Sequence, residues 1–294
     1  MIGILGGHGF IGSAIAVELR SQGIPYRVLR RSERDYYQTD DLSAWLRENH
    51  IEFLINSAGF TGKPNVDACE VQKTQCMLGN AVLPGIVREA CESIGIPFGH
   101  VSSGCIYTGC KLDGSGFTES DPPNFCFRTN HCSFYSGCKS LGEEIIDGCE
   151  SCYVWRLRIP FDEFDGQRNY FSKLMRYSTL LDATNSLSHL GDFAKSCVIC
   201  VVNQLPFGIY NLTNPGSVTT REVTEMLSQT IAMDHRFRFF ADEVEFMSLA
   251  AVAPRSNCIL DASKAVSHGL PMRPIRDALQ QTLANWKTET VLSK

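Results

Sequence analysis

The sequence predicts an α/β fold in which a doubly wound parallel sheet, residues 1–160, is followed by a smaller C-terminal α/β lobe, residues 161–294. Three observations predict it. Short apolar runs alternate with helical patterns through the first half, a glycine-rich turn stands at the first junction of run and helix, and the regularity weakens after Pro160. Ile2 to Leu5 reads as a strand that stops at GGHGFIG. Phe10, Ile11, Ala14, Ile15, Val17 and Leu19 then recur at helical spacing. Tyr26 to Leu29 is the second strand and ends in Arg30 and Arg31. A helix around Leu42 to Glu48 leads to a third strand, Phe53 to Ile55. A long helical stretch near Cys76 to Ile94, an apolar segment through Val101, a helix around Tyr135 to Ile146 and a strand from Tyr153 to Leu157 continue the alternation, which implies right-handed crossovers and a sheet covered on both faces. Beyond Pro160, turn-rich stretches at 211–217 and 252–257 separate short signals, and Ile275 to Trp286 reads as a closing amphipathic helix. The absence of a repeat or flexible linker implies that the second lobe interleaves with the first and serves as a substrate-binding lobe.

Composition excludes several classes. A hydrophobic content of 44% with 20% charged residues is that of a globular chain and not of a disordered one. With 27 basic and 32 acidic side chains the net charge is −5, which argues against a nucleic-acid partner. No apolar run approaches the ~18 residues of a membrane span, and no charged leader precedes Ile2. Thirteen cysteines, an odd number in a chain of 294 residues, imply reduced thiols and a cytoplasmic setting.

Gly6, Gly9 and Gly12 stand where the first strand becomes the first helix. A tight turn, close backbone approach and a helix N-terminus with free amides are what a pyrophosphate requires, so the loop reads as a Rossmann-type dinucleotide site that includes Phe10 and Ile11. His8 reads as a solvated turn residue. The second strand ends without an acid to bind a ribose hydroxyl, and Arg30 and Arg31 suit the 2′-phosphate of NADPH; NADH stays open, because paired arginines on a loop are also ordinary surface residues.

Tyr135 and Lys139 lie four apart in YSGCK and share one helix face. An ammonium beside a phenol is expected to lower its pKa from ~10, giving a tuned proton donor. Ser102 and Ser103 follow an apolar strand at its carboxyl end, where open parallel sheets bind ligands, and a serine there can hold a carbonyl.

The glycine loop, the serine strand end and YxxxK together resemble an extended short-chain dehydrogenase/reductase. Within that family NSAGFTGKPNVDACE (56–70), RNYFSKLMRY (168–177), YNLTNPG (210–216) and APRSN (253–257) resemble the plant-type UDP-4-keto-6-deoxyglucose 3,5-epimerase/4-reductases, and more distantly dTDP-4-dehydrorhamnose reductase and GDP-fucose synthase. The resemblance runs in order over nearly the whole chain. It implies NADPH-dependent reduction of the 4-keto group of an NDP-4-keto-6-deoxyhexose, coupled to 3,5-epimerisation, and a homodimer through the helix carrying Tyr135. By position, Ser103 orients the ketone, Tyr135 supplies the proton and Lys139 holds the nicotinamide ribose. Asp35 and Tyr36 fall at the adenine, Ala58 over the cofactor and Pro160 beside the nicotinamide. Cys105 matches the epimerisation base and Lys173 the opposing acid; in extended chain Cys105 would point to the same side as Ser103. Asn169 and Arg255 are candidate sugar or diphosphate contacts.

Two departures bear on the substrate. Between Phe125 and Ser133 the chain carries CFRTNHC where the plant-type pattern has a much shorter link, a loop expected to reshape the pocket, and YSGCK lacks a second lysine ahead of Lys139. The pairs Cys149/Cys152 and Cys197/Cys200 read as packing cysteines and not as a metal site. The rival readings are an enzyme acting on a different nucleotide sugar and a non-catalytic NADP-binding redox sensor.

Overall fold

The computed structural model describes residues 1–63, 65–129, 131–231 and 236–287. Its centre is a six-stranded sheet made of β1 (Ile2–Leu5), β2 (Tyr26–Leu29), β3 (Phe53–Asn56), β4 (Phe98–Ser103), β5 (Cys152–Leu157) and β9 (Gly208–Asn211) in the order β2-β1-β3-β4-β5-β9. Every neighbouring pair is parallel. All residues of β1, β3 and β5 are buried, as a sheet covered on both faces demands.

One face carries α1 (Phe10–Ser21) and α8 (Leu190–Val202), whose Ile15, Leu19, Phe193 and Cys197 pack with Ile4, Ile55 and Trp155. The other carries α2 (Thr39–Glu48) and α5 (Leu83–Ile94), where Leu42, Trp45, Leu46, Val87 and Cys91 close on Leu54, Phe98 and Val154. Cys91, Cys152, Cys197 and Cys200 are therefore apolar filling, and no cluster of three or more metal-ligating side chains occurs among the described residues.

The expected long helix before β4 is broken in three. α4 (Lys73–Met77) passes through a π turn, Leu78–Val82, before α5 begins with Pro84 in its first turn. Such turns carry an extra residue per turn and re-aim side chains, here that of the buried Asn80.

Although α8 and β9 follow residue 160, they complete the first sheet, so the chain crosses between the units more than once. The second core is made by α7 (Tyr170–Arg176), α9 (Thr220–Thr230) and α12 (Ile275–Ala284), with Phe161, Phe171, Leu227 and Leu279 at its centre. A capping box, Thr219 with Glu222, starts α9. Strand order reverses between β1 and β3, and the crevice at the carboxyl ends of those strands is where this topology leaves room for ligands.

Candidate active site

The glycine loop meets the steric demand that a dinucleotide makes. Gly6 turns with φ +72° and packs so tightly that a Cβ there would lie 2.6 Å from the Ala58 backbone nitrogen. A Cβ on Gly12 would lie 2.3 Å from the Gly6 carbonyl oxygen and 2.5 Å from Ser57 Oγ, so only glycine lets α1 start against the loop. Gly9 is the N-cap of α1, with no side chain capping it and no acid in the first turn. The first amides of the helix are thus left to an anion, and Gly9, Phe10, Ile11 and Ala58 line the cavity. These residues fit a nicotinamide dinucleotide.

Arg30, Arg31, Asp35 and Tyr36 lie at the end of β2. Arg30 Nε donates to His8 Nε2 at 3.1 Å, tying the strand end to the glycine loop. Arg31 stacks 4.8 Å over the Tyr37 ring and lies 3.9 Å from Asp35. Asp35 also accepts from the Tyr37 backbone amide, and both arginines are exposed.

Tyr135 and Lys139 are carried by α6 (Phe134–Ile146), which Ser133 caps by accepting from the Ser136 amide. Ser103 ends β4 and is a hydrogen-bonding neighbour of the Tyr135 hydroxyl. Lys139 is buried, and its Nζ donates to the Val101 carbonyl at 3.3 Å. The three side chains expected to act together therefore share one wall of the cavity. The Tyr135 pKa departs from expectation: burial and the nearby thiols of Cys105, Cys69 and Cys76 push it well above 10 against the hydrogen bonding of Ser103. The phenol is a firmly held proton donor. Burial likewise lowers the Lys139 ammonium.

Behind Lys139, Glu143 is clamped by Arg156 at 2.7 Å and by the Ser102 hydroxyl at 2.5 Å. Arg156 reaches on to Tyr107 Oη at 3.0 Å. This buried network ties α6 to β4 and β5, the two strands beneath the site. Ile159, a β-branched residue at φ +38°, holds the chain in the left-handed region beside Pro160, and both line the cavity.

The cavity measures about 840 Å³, room for a nucleotide-sized ligand as well as a nicotinamide. Four cations line it, Lys139, Arg168, Lys173 and Arg255, and among the described lining residues there is no carboxylate. Phe240, Phe246 and Tyr177 add aromatic surface at the end formed by the C-terminal lobe.

The RmlD substrate binding domain family matches residues 1–288. The chain belongs to that family. A bifunctional dTDP-4-dehydrorhamnose 3,5-epimerase/dTDP-4-dehydrorhamnose reductase of Arabidopsis thaliana is 32% identical over 97% of this chain and 94% of its own length. A trifunctional UDP-glucose 4,6-dehydratase/UDP-4-keto-6-deoxy-D-glucose 3,5-epimerase/UDP-4-keto-L-rhamnose-reductase of the same plant is 31% identical over 94% of this chain, which spans only 41% of that larger protein. The solved structure of the L780 UDP-rhamnose synthase of Acanthamoeba polyphaga mimivirus superposes with a TM-score of 0.87 at 21% identity, covering 97% of this chain and 98% of that one.

Against this RmlD-type framework several expected positions shift. Cys105 is not in extended chain: Gly104–Ile106 forms a 3-10 turn in which the Cys105 amide donates to Ser103 Oγ at 3.2 Å. The alternation that would set both side chains on one side ends at Ser103. Cys105 is buried beneath the serine in a cluster that Tyr135 packs against, and it does not line the cavity. Burial raises its thiol pKa, while hydrogen bonding to Ser103 and the charges of Arg158 and Lys139 pull it down. Asn169 is fully buried away from the cavity. It caps α7 through the Phe171 amide and donates to Asp162 at 2.6 Å and to the Phe164 carbonyl at 2.7 Å, so it fixes the helix that presents Lys173. Arg255 does face the cavity, paired with Asp67.

The loop between Cys126 and Cys132, with Asn130 outside the described residues, contributes nothing to the cavity lining. It braces the outer side of α6. Phe127 covers Gly137, where a Cβ would lie 2.3 Å from its ring, and Arg128 pairs with Glu144 at 2.6 Å. The extra residues thus steady the helix that carries Tyr135 and Lys139 from behind.

Asn80 and Arg168 were not singled out from sequence. Asn80 pins the Phe60 backbone through both amide atoms, at 3.2 and 2.6 Å, beside Gly59 and the Lys139 ammonium. Its signal was an asparagine inside an apolar helical run. Arg168 donates to the Gly62 carbonyl at 3.0 Å and sits near enough to Lys173 to lower its pKa together with burial.

Proposed function

We propose that this chain is an NADPH-dependent reductase of the 4-keto group of an NDP-4-keto-6-deoxyhexose that also inverts carbons 3 and 5, giving an NDP-rhamnose-type sugar. The observation that carries the reading is the neutral, buried Tyr135 set beside Ser103 in the wall of a cavity lined by four cations and no described carboxylate. A cavity so charged suits a diphosphate, and a hydroxyl pair in its wall suits a carbonyl.

Ser103 and Tyr135 would hold the ketone oxygen between two hydroxyls. NADPH, when bound along the glycine loop, would supply a hydride to carbon 4. Tyr135 gives its proton to the oxygen as negative charge develops there, and Lys139, four residues on, offsets the charge left on the phenolate. Gly6, Gly9 and Gly12 would hold the pyrophosphate, with Arg30 and Arg31 toward the 2′-phosphate.

Before reduction, the ketone acidifies the hydrogens on carbons 3 and 5. Cys105, which lies beneath Ser103 and outside the cavity lining, would have to turn toward the sugar to take a proton; burial raises its thiol pKa, with Ser103, Arg158 and Lys139 opposing. Lys173, whose ammonium is eased toward release by burial and Arg168, would return one from the other side. The thirteen cysteines, all free, support a reducing compartment, the cytoplasm. No helix among the described residues is long and apolar enough to cross a membrane.

Incubation with UDP- or dTDP-4-keto-6-deoxyglucose in heavy water tests the two halves apart. Deuterium should enter carbons 3 and 5 without NADPH, and NADPH should be oxidised once it is added. Absence of NADPH oxidation with either sugar would sink the reductase reading. Exchange at the normal rate in Cys105→Ala would remove Cys105 as the base.

A further inference from the structure

Asp67 and Arg255 are 188 residues apart in sequence and meet at the cavity, joining the segment after β3 to the C-terminal lobe. Both guanidinium nitrogens donate to the carboxylate at 2.6 Å, a fork-to-fork pair that is largely but not fully withdrawn from solvent, with side chains 20% and 18% exposed. Arg255 lines the cavity; Asp67 does not. The aspartate also forgoes its local use. It occupies the N-cap position of α3 (Ala68–Val71), where its side chain would ordinarily accept an amide, yet it caps nothing and spends both oxygens on the arginine. Arg255 lies 5.8 Å from the Phe246 ring centroid, so the pair also reaches α10 (Glu243–Leu249), which forms that end of the cavity.

We propose that the Asp67–Arg255 pair is a latch that an entering diphosphate releases: Asp67 holds the guanidinium in reserve and yields it to the anion. The proposal rests on the nucleotide-sugar reading above. A diphosphate brings more negative charge than one carboxylate and offers the same bidentate geometry. Arg168 and Lys173 line the same cavity, and among the described residues Lys173 has no carboxylate partner, so they draw the anion in alongside Arg255. Once it is seated, a carboxylate left on Arg255 would face like charge. The released state is therefore favoured only with ligand present. Asp67 is thus a competitor that lowers affinity and a device that keeps Arg255 oriented.

The test is calorimetric titration of the full chain with UDP alone, which needs no turnover. Asp67→Asn should bind UDP about fivefold to twentyfold more tightly, since the competing charge is gone. Arg255→Gln should weaken binding by at least about tenfold, and Asp67→Asn in that background should bring no gain. Unchanged or weaker binding in Asp67→Asn, or a gain that survives without Arg255, would overturn the latch while leaving the substrate class intact. No UDP binding by the unaltered chain would overturn both. A measurement on the unaltered chain guards against a variant that fails to fold. The Arg255 Nε–H resonance should move on saturation with UDP and stay in place with NADPH alone, and a resonance that UDP leaves unmoved overturns the latch.

Discussion

The glycine loop and the cationic cavity wall both suit anions, and they do so by opposite means. The loop offers backbone: Gly9 and the first amides of α1, with no acid in the first turn and no side chain as cap. The wall offers side chains, Lys139, Arg168, Lys173 and Arg255, drawn from three separate stretches of the chain. The first is built within seven residues and depends on the absence of atoms, since a Cβ at Gly12 would strike the Gly6 carbonyl. The second depends on long-range folding and on charge. A local, steric site fails by clash, and a distributed, charged one fails through pH, salt or loss of a partner.

Removing the proposed proton donor should separate chemistry from both anion sites. Tyr135→Phe takes away a neutral hydroxyl, leaves every cation in place and should lower kcat for sugar reduction roughly a hundredfold to ten-thousandfold. NADPH and UDP affinities, read by fluorescence and calorimetry, should change less than about threefold. A full rate in this variant would mean that the proton comes from another group and not from Tyr135.

Gly12→Val attacks the loop alone. The added carbons meet backbone and Ser57 Oγ, neither able to retreat without moving β1 or β3, so NADPH affinity should fall about tenfold to a hundredfold. UDP binding at the wall should hold. If UDP binding were lost in parallel, the two sites would be coupled and the contrast between them wrong.

The same contrast explains what could be read from sequence. The glycine loop, the Tyr135/Lys139 helix and Ser103 were legible because each is a short-range spacing whose chemistry is local. The parallel sheet followed from alternation, though β9 joining it from beyond residue 160 did not. The same-side placement of Cys105 and Ser103 failed because a 3-10 turn, stabilised by the Ser103 side chain, interrupts the strand period one residue after the serine. Asn169 was taken for a ligand contact because a cap and a ligand contact look alike in sequence; burial and three internal acceptors tell them apart. Asn80 needed the π turn, and the Asp67–Arg255 pair needed the tertiary fold, since neither leaves a periodic trace. The lowering of the Tyr135 pKa expected from a nearby ammonium was reversed by burial, which spacing cannot report.

The smallest expected effect concerns the charged scaffold that holds the C-terminal lobe. His189 caps α8, and it lies 3.1 Å from Glu163, 3.2 Å from Asp192 and 2.8 Å from an Arg273 nitrogen. Burial alone would lower its pKa; the hydrogen bonds and charges of Asp192 and Glu163 outweigh this and raise it to about 9 from 6.5. On protonation Nδ1–H gives up the Asp192 amide and Arg273, from which only the neutral ring accepts, and donates to the Asp192 carboxylate. A folded pKa above the unfolded one stabilises the protein fully below pH ~6.5, and that stability is lost as pH rises through about 9. Asp162, raised to about 6 by burial, is half titrated where this window opens and adds a small loss of stability in the same sense at its acid end. Cys149, held down to about 6 by the Cys152 thiol, works in the opposite sense across it, so the readout must be a difference. Between pH 6 and 9.5 the stability gap between the unaltered chain and His189→Asn, whose amide can still cap α8, should close by about 1–3 kcal/mol, measured by urea unfolding. The glycine loop holds its anion through backbone amides, so the pH dependence of NADPH affinity should not follow this curve. A gap independent of pH would mean that His189 is neutral in the fold and that the clamp is held by Arg273 and Asp192 alone, whose guanidinium and carboxylate approach to 2.9 Å.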